Sequence, residues 1–196
     1  MSSTSRRLIA VDSQNLLGCD PRIASAACWE FAVAGLLRAV GFRKDVDHLV
    51  IAVAPDWAFT VKTLAPCARL VVRKGPHGAD LALCDALADT AFIASRYSEV
   101  VIASGDHIFC ASVRALADAG VPTIVAGLPH QTSSELTTTA TRVTWLDRPA
   151  RFLGEAATVA VAPAQRKTYA LAPVGSDPVG ADPTLLPRHT GLAIAA

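Results

Sequence analysis

Three aspartates stand where an α/β chain places its chemistry. Asp12 ends an apolar run in Ile9-Ala-Val-Asp-Ser-Gln-Asn15. Asp106 follows a second such run in Val101-Ile-Ala-Ser-Gly-Asp106. Asp80 opens an amphipathic segment in Lys74-Gly-Pro-His-Gly-Ala-Asp80. Carboxylates gathered in one place repel one another and remain ionised together only beside a cation. An all-oxygen donor set favours Mg²⁺ or Mn²⁺ over zinc. Such an ion can activate a water and clamp a phosphodiester oxygen. Each acid also has a plainer role available: Asp12 closing a loop, Asp80 as a first-turn acid favoured by the helix dipole, and Asp106 as the N-cap of the next helix.

The surroundings of these acids add candidates for substrate contact. His107 adjoins Asp106 and could meet a phosphate or assist proton transfer, or could be an ordinary loop histidine. Arg73 and Lys74 lead into Gly75-Pro-His-Gly78, where two glycines let backbone approach a polyanion and the cations supply charge. Trp57 and Phe59 follow an apolar run on the same edge; an aromatic there can stack on an unpaired base or simply pack against the sheet. Asp85, five residues beyond Asp80, falls on another helix face, and Arg114 reads as a surface residue.

The elements that must position these residues follow from periodicity. Short apolar runs predict strands at Leu8–Val11, Leu49–Ala54, Ala68–Val72, Val100–Ala103 and Pro122–Ala126, with a sixth at Arg142–Leu146. Helices are expected over Ile23–Val40 with Phe31, Ala34 and Leu37 on the apolar face, over Asp56–Leu64, over Ala79–Ser95 with Leu83, Leu87 and Ala91 inward, and over Phe109–Ala119. Strands apolar on both faces and separated by helices indicate a three-layer α/β/α sandwich with a mostly parallel, Rossmann-like central sheet. Sites in such sheets form beyond the carboxyl ends of the strands where the order reverses. With the order 3-2-1-4-5, the strands ending at Asp12 and Asp106 are neighbours at that reversal, and Asp80 approaches from the same edge.

Composition bounds the remainder. Hydrophobic residues are 52% of the chain and the formal net charge is +1, so no global basic field marks a nucleic-acid binder and any such contact must be local. The five cysteines form no Cys-x-x-Cys pair, which argues against a zinc site or a disulfide framework; buried thiols in a reducing compartment are the expectation. The apolar stretch after the basic start halts at Asp12, too short for a secretory signal, and no run approaches the roughly 18 residues of a membrane span. A cytoplasmic protein with no membrane contact is expected. From about Pro149 Ala, Pro, Gly and Thr dominate, dividing a domain over residues 1–148 from a tail over 149–196, expected to be flexible, in which Arg166-Lys167 reads as a solvated pair.

The three acidic segments also resemble the motifs of NYN-domain proteins, a branch of the PIN-like nuclease superfamily. Ile9-Ala-Val-Asp12-Ser-Gln-Asn15 is similar to the opening Asp-x-x-Asn motif. Lys74 to Leu83 is similar to the central segment, and Val100 to Phe109 to the Ser-Gly-Asp-x-x-Phe motif. Val113–Gly127 follows the helix, glycine and strand expected next, and Ser134-Glu-Leu136 before Val143–Leu146 has a counterpart in the closing segment. The resemblance spans about residues 8–147. It implies a metal-dependent ribonuclease-like site with Asp12, Asp80 and Asp106 as metal ligands, Asn15 steadying the first loop, Ser104 beside the metal, and RNA as substrate. One position departs: where many members carry a second acid two residues after the last aspartate, this chain has Ile108, which weakens a two-metal reading and favours a catalytically degenerate module that binds RNA or a protein. A homo-oligomer or protein partner is left open. A nucleotide-binding protein is the weakest reading, because neither G-x-G-x-x-G nor a Walker loop follows the first strand.

Overall fold

The computed structural model describes residues 5–19 and 24–147; the tail expected over 149–196 lies outside the described residues. Six strands, β1 (Arg7–Asp12), β2 (His48–Val53), β3 (Arg69–Val72), β4 (Glu99–Ala103), β5 (Thr123–Gly127) and β6 (Arg142–Trp145), form one sheet in the order β3-β2-β1-β4-β5-β6. Every pairing is parallel. The order reverses between β1 and β4, so the crevice of a doubly wound sheet falls between those two strands.

Two apolar layers flank the sheet, and strand parity assigns side chains to them. Ile9 and Val11 of β1 join Trp29, Val33, Leu36 and Val61 on one face. Leu8 and Ala10 join Leu83, Leu87, Phe109, Val113 and Leu116 on the other. Successive residues of a strand point to opposite faces, which is why β1 is buried from Leu8 to Asp12. The first face is covered by α1 (Ser13–Leu17), α2 (Ala26–Ala39) and α3 (Ala58–Leu64). The second is covered by α4 (Gly78–Leu87), α5 (Thr90–Arg96), α6 (Cys110–Asp118) and α7 (Ser134–Thr139). This is the three-layer sandwich that the alternating pattern predicts.

The local departures have identifiable causes. The helix expected over Ala79–Ser95 is two helices, because Asp89 accepts the Phe92 amide and caps a new start; Ala91 is consequently exposed and Ile93 is buried instead. The buried stripe of α2 runs Trp29, Val33, Leu36; of the expected residues Leu37 packs partly buried against the core, while Phe31 and Ala34 are exposed. Trp29 sets that phase, being buried against Trp57 with ring centroids 5.9 Å apart, and Phe31 is left exposed. The segment after β2 starts as a 3-10 turn, Pro55–Trp57, before α3. Cys19 and Cys67 are exposed, contrary to the expectation of buried thiols; they sit in a turn after α1 and in the loop before β3.

Among the described residues, no helix is long and apolar enough to cross a membrane.

Candidate active site at the carboxyl end of the sheet

Asp12 closes β1 and caps α1 at once. Its Oδ1 accepts the Gln14 and Asn15 amides at 3.1 and 3.2 Å. Parity continues from Leu8 and Ala10, so the carboxyl group points to the face that carries α4. The register pairs Val11 with Ala103, and one step further sets Asp12 beside Ser104. The Ser104 hydroxyl donates to Asp12 Oδ2 at 3.0 Å and accepts the Asp106 amide at 3.1 Å. Asn15, expected to steady the first loop, reaches across the crevice: its Oδ1 accepts the Gly105 amide at 2.7 Å. The loops after β1 and β4 are thus tied by two hydrogen bonds between residues about 90 apart in sequence.

Gly105 and Gly127 allow a third loop to close on this pair. A Cβ at Gly105 would collide with the Gln131 carbonyl, and one at Gly127 with the Thr132 hydroxyl. Ser133 donates its amide to the Gly105 carbonyl at 2.8 Å, and Gln131 donates through Nε2 to the Gly18 carbonyl.

Asp80 lies in the first turn of α4 and is only 6% exposed; Asp12 is 2% exposed. Burial pushes the Asp12 carboxyl up from 3.8 to about 7, and the nearby Asp80 charge adds to the rise. Hydrogen bonds from Asn15, Ser104 and Gln14 oppose the shift without cancelling it. His77 Nδ1 is 3.3 Å from Asp80 Oδ2. His77 has φ 55°, and it alone of the described non-glycine residues has positive φ. The approach of Gly78 to the Arg73 carbonyl, too close for any Cβ, forces this tight entry into α4.

Asp106 is half-buried and caps the 3-10 turn His107–Phe109, accepting the Ile108 amide at 3.1 Å. His107 Nδ1 is 3.2 Å from Asp106 Oδ1. Ile108 packs against the second core. All three acids therefore fill their local capping or first-turn roles, and Asp12 and Asp80 are additionally coupled through a buried interior. Asp106 is tied to Asp12 by its backbone, whose amide donates to the Ser104 hydroxyl that in turn donates to Asp12. The Cys84 thiol, raised to about 11 chiefly by burial, also feels the charges of Asp80, Asp85 and Asp106.

Among the described residues, no group of three or more His, Cys, Asp or Glu side chains converges as a metal-ligand set. The donor chemistry of the Asp12–Asp80 pair nonetheless fits a hard cation. Mg²⁺ commonly takes one or two carboxylates and keeps several waters, and a desolvated Asp12 whose proton affinity the Asp80 charge raises further is what a divalent charge relieves. The buried Ser13 hydroxyl, next to Asp12 in the chain, has no hydrogen-bond partner among the described residues.

The remaining candidates stand apart from the pair. Arg73 is exposed and pairs with the exposed Asp85 at 3.1 Å, on a helix face away from Asp80. Lys74 is exposed in the same loop. Trp57 packs into the first core, whereas Phe59 is 85% exposed. Arg114 pairs on the surface with Glu135. Sequence reasoning missed the tight packing of the Gln131–Ser133 loop against Gly105; the only signal was the Gly105 and Gly127 pair.

Comparison with known proteins gives the fold and little else. No family model matches the chain, and no curated protein does. A crystal structure of a protein of unknown function from Vibrio parahaemolyticus superposes with a TM-score of 0.53 at 19% identity, covering 75% of this chain and 97% of that one. A haloacid dehalogenase-like hydrolase from Streptococcus pneumoniae reaches a TM-score of 0.38 at 10% identity, with 79% and 99% covered. At these identities the first likeness supports the α/β fold alone, and the second carries no argument.

Proposed function

We propose that this chain is a divalent-metal-dependent ribonuclease-like protein whose working end is the Asp12, Asp80 and Asp106 edge. The observation that supports it most is the buried Asp12–Asp80 pair, with Asp12 raised to about 7. A carboxyl group desolvated this far, with no cationic partner among its causes of shift, is an electrostatic cost that the fold retains, and such sites are enriched at functional positions. Asp12 and Asp80 would hold Mg²⁺ or Mn²⁺, with Asp106 contributing from the rim. When bound, the ion supplies an activated water and neutralises charge on a phosphodiester oxygen. Ser104 fixes the Asp12 carboxylate through its hydroxyl, and Asn15 holds the Gly105 backbone so that Asp106 stays at the crevice. His107, Arg73 and Lys74 line the same end of the sheet and offer contacts to a phosphate chain. RNA as the substrate rests on the NYN resemblance.

A second reading has its own support. Ile108 is packed into the core, Asp106 is engaged in capping, and the three acids form no ligand group. A catalytically degenerate domain that binds RNA or a protein keeps the fold and loses the reaction. Labelled single-stranded RNA incubated with millimolar Mg²⁺ or Mn²⁺ separates the two. Cleavage by the wild type that is lost in Asp12→Asn and in Asp106→Asn supports the enzyme. Absence of both cleavage and a metal-induced rise in Tm supports the binding module. Cleavage that persists in both variants contradicts the site.

A further inference from the structure

The near-zero net charge hides an uneven distribution. The acid pair lies at the carboxyl end of the sheet, and a basic cluster with interleaved aromatics lies at the amino end, about 17 Å away along β1. His48 opens β2, and its Nδ1 meets the Tyr97 hydroxyl at 2.7 Å, with the two rings edge-on at 5.5 Å. Tyr97 follows α5, whose last residue Arg96 lies over the exposed Phe92 ring at 5.2 Å. Arg6 is held to the same corner by its carbonyl, which accepts the amide and hydroxyl of Ser98. Among the described residues neither Arg6 nor Arg96 has an ion-pair partner, while the acid that opens β4, Glu99, is engaged by Arg7 and Arg142. Burial lowers the proton affinity of His48, and the charges of Arg6 and Arg96 lower it further, so both guanidinium groups act on one spot.

We propose that Arg6, His48, Phe92, Arg96 and Tyr97 form a second nucleic-acid contact, which holds the backbone and a base of single-stranded RNA at the edge opposite the acids. Guanidinium groups without an ion-pair partner meet phosphates, and the exposed Phe92 and His48 rings offer stacking faces that any base can use. The pairing of free cations with aromatic faces favours RNA over an acidic membrane surface, which would need the charge but not the rings. The proposal rests on the reading of RNA as ligand, but it needs no metal and no cleavage.

The test is fluorescence anisotropy of labelled single-stranded RNA with the full chain in EDTA, which removes any contribution from a bound ion. Arg6→Gln with Arg96→Gln should weaken binding on the order of tenfold at low salt and reduce the slope of log K against log salt by about 1.4, two phosphates at about 0.7 each. Phe92→Ala should weaken binding without changing that slope. Arg114→Gln, which removes a charge elsewhere on the surface, should leave affinity unchanged. Equal binding by wild type and the Arg6/Arg96 variant overturns the proposal, as does RNA binding that survives while affinity for phosphatidylserine vesicles is lost. Binding that behaves as expected in a chain that cleaves nothing would sink the nuclease reading and leave this one standing.

Discussion

Two buried aspartates at opposite ends of the β1–β2 pair have opposite electrostatics. Asp47, 5% exposed, lies at the amino end, where Arg7 and Arg43 surround it. Its Oδ2 accepts Arg7 Nη2 at 2.7 Å and the Arg43 amide at 2.9 Å, and its Oδ1 accepts Arg43 Nη2 at 2.7 Å. Arg7 also donates to the carbonyls of Val40 and Gly41. Desolvation would raise the Asp47 carboxyl, but the hydrogen bonds from Arg43 and Arg7 outweigh it and hold the group far below the carboxylate range. Asp12 is as deeply buried and has amides and one hydroxyl but no cation, so desolvation wins and its proton affinity rises. The fold can neutralise a buried acid and does so where the role is to fasten the N-terminal strand. That Asp12 has no cation among the groups that set its proton affinity is the feature that sets the carboxyl end apart.

The largest expected effect breaks the neutralised end. Asp47→Ala strands two guanidinium groups, one of them mostly buried, and should cost about 3–5 kcal/mol in urea unfolding at pH 7. The opposite sign is expected at the other end. Asp12 is raised, so the native state binds a proton that the unfolded chain has released between pH 3.8 and about 7. Stability therefore falls as pH rises through that window, and the cost is complete above it. Asp12→Asn should stabilise the metal-free protein at pH 8 by roughly 2–4 kcal/mol, a gain that vanishes near pH 4, as read by unfolding curves at both pH values. Asp47, being depressed, contributes stability above the ordinary carboxylate range that is lost only in strong acid.

Smaller effects sharpen the contrast. Ser104→Ala removes a hydrogen bond that favours ionised Asp12 and should raise its midpoint and lower stability at pH 8 by about 1 kcal/mol, whereas Asp80→Asn should lower the midpoint and lessen the loss of stability at pH 8. Asp85→Asn, which breaks only the exposed pair with Arg73, should change Tm by an amount equivalent to at most about 0.5 kcal/mol.

The fold and the acid edge were legible to different depths. Apolar runs such as Leu49–Ala54 and Val100–Ala103 place the central strands, because a strand buried on both faces leaves a continuous hydrophobic signature; the edge strands β3 and β6, only partly buried, left a shorter one. The position of Asp12 after β1 and of Asp106 after β4 likewise followed from the strand ends. Helix phase was legible in α4, where Leu83 and Leu87 are buried as expected, but not in α2, whose stripe is set by Trp29 packing on Trp57, a tertiary contact. Nor was the Arg7–Asp47–Arg43 cluster visible, since its residues are ordinary surface types and only the Arg43–Asp47 spacing hinted at it. The basic corner of Arg6, His48 and Arg96 was missed for the same reason: its cations are scattered through the chain and the net charge averages them away. The Asn15 bond to Gly105 and the Ser104 bond to Asp12 link the site across long sequence separations that no local pattern encodes.

The central claim, that Asp12 is a buried acid awaiting a hard cation, is open to a direct reading. Carbonyl-carbon NMR of selectively labelled aspartate, assigned to Asp12 by its loss in Asp12→Asn, follows this one carboxyl group through a pH titration. The account predicts a midpoint near 7 without divalent ions that falls by more than about one unit in millimolar Mg²⁺, as expected for an opposite charge drawn beside it. A midpoint in the ordinary carboxylate range, or one near 7 that Mg²⁺ leaves unmoved, would contradict it.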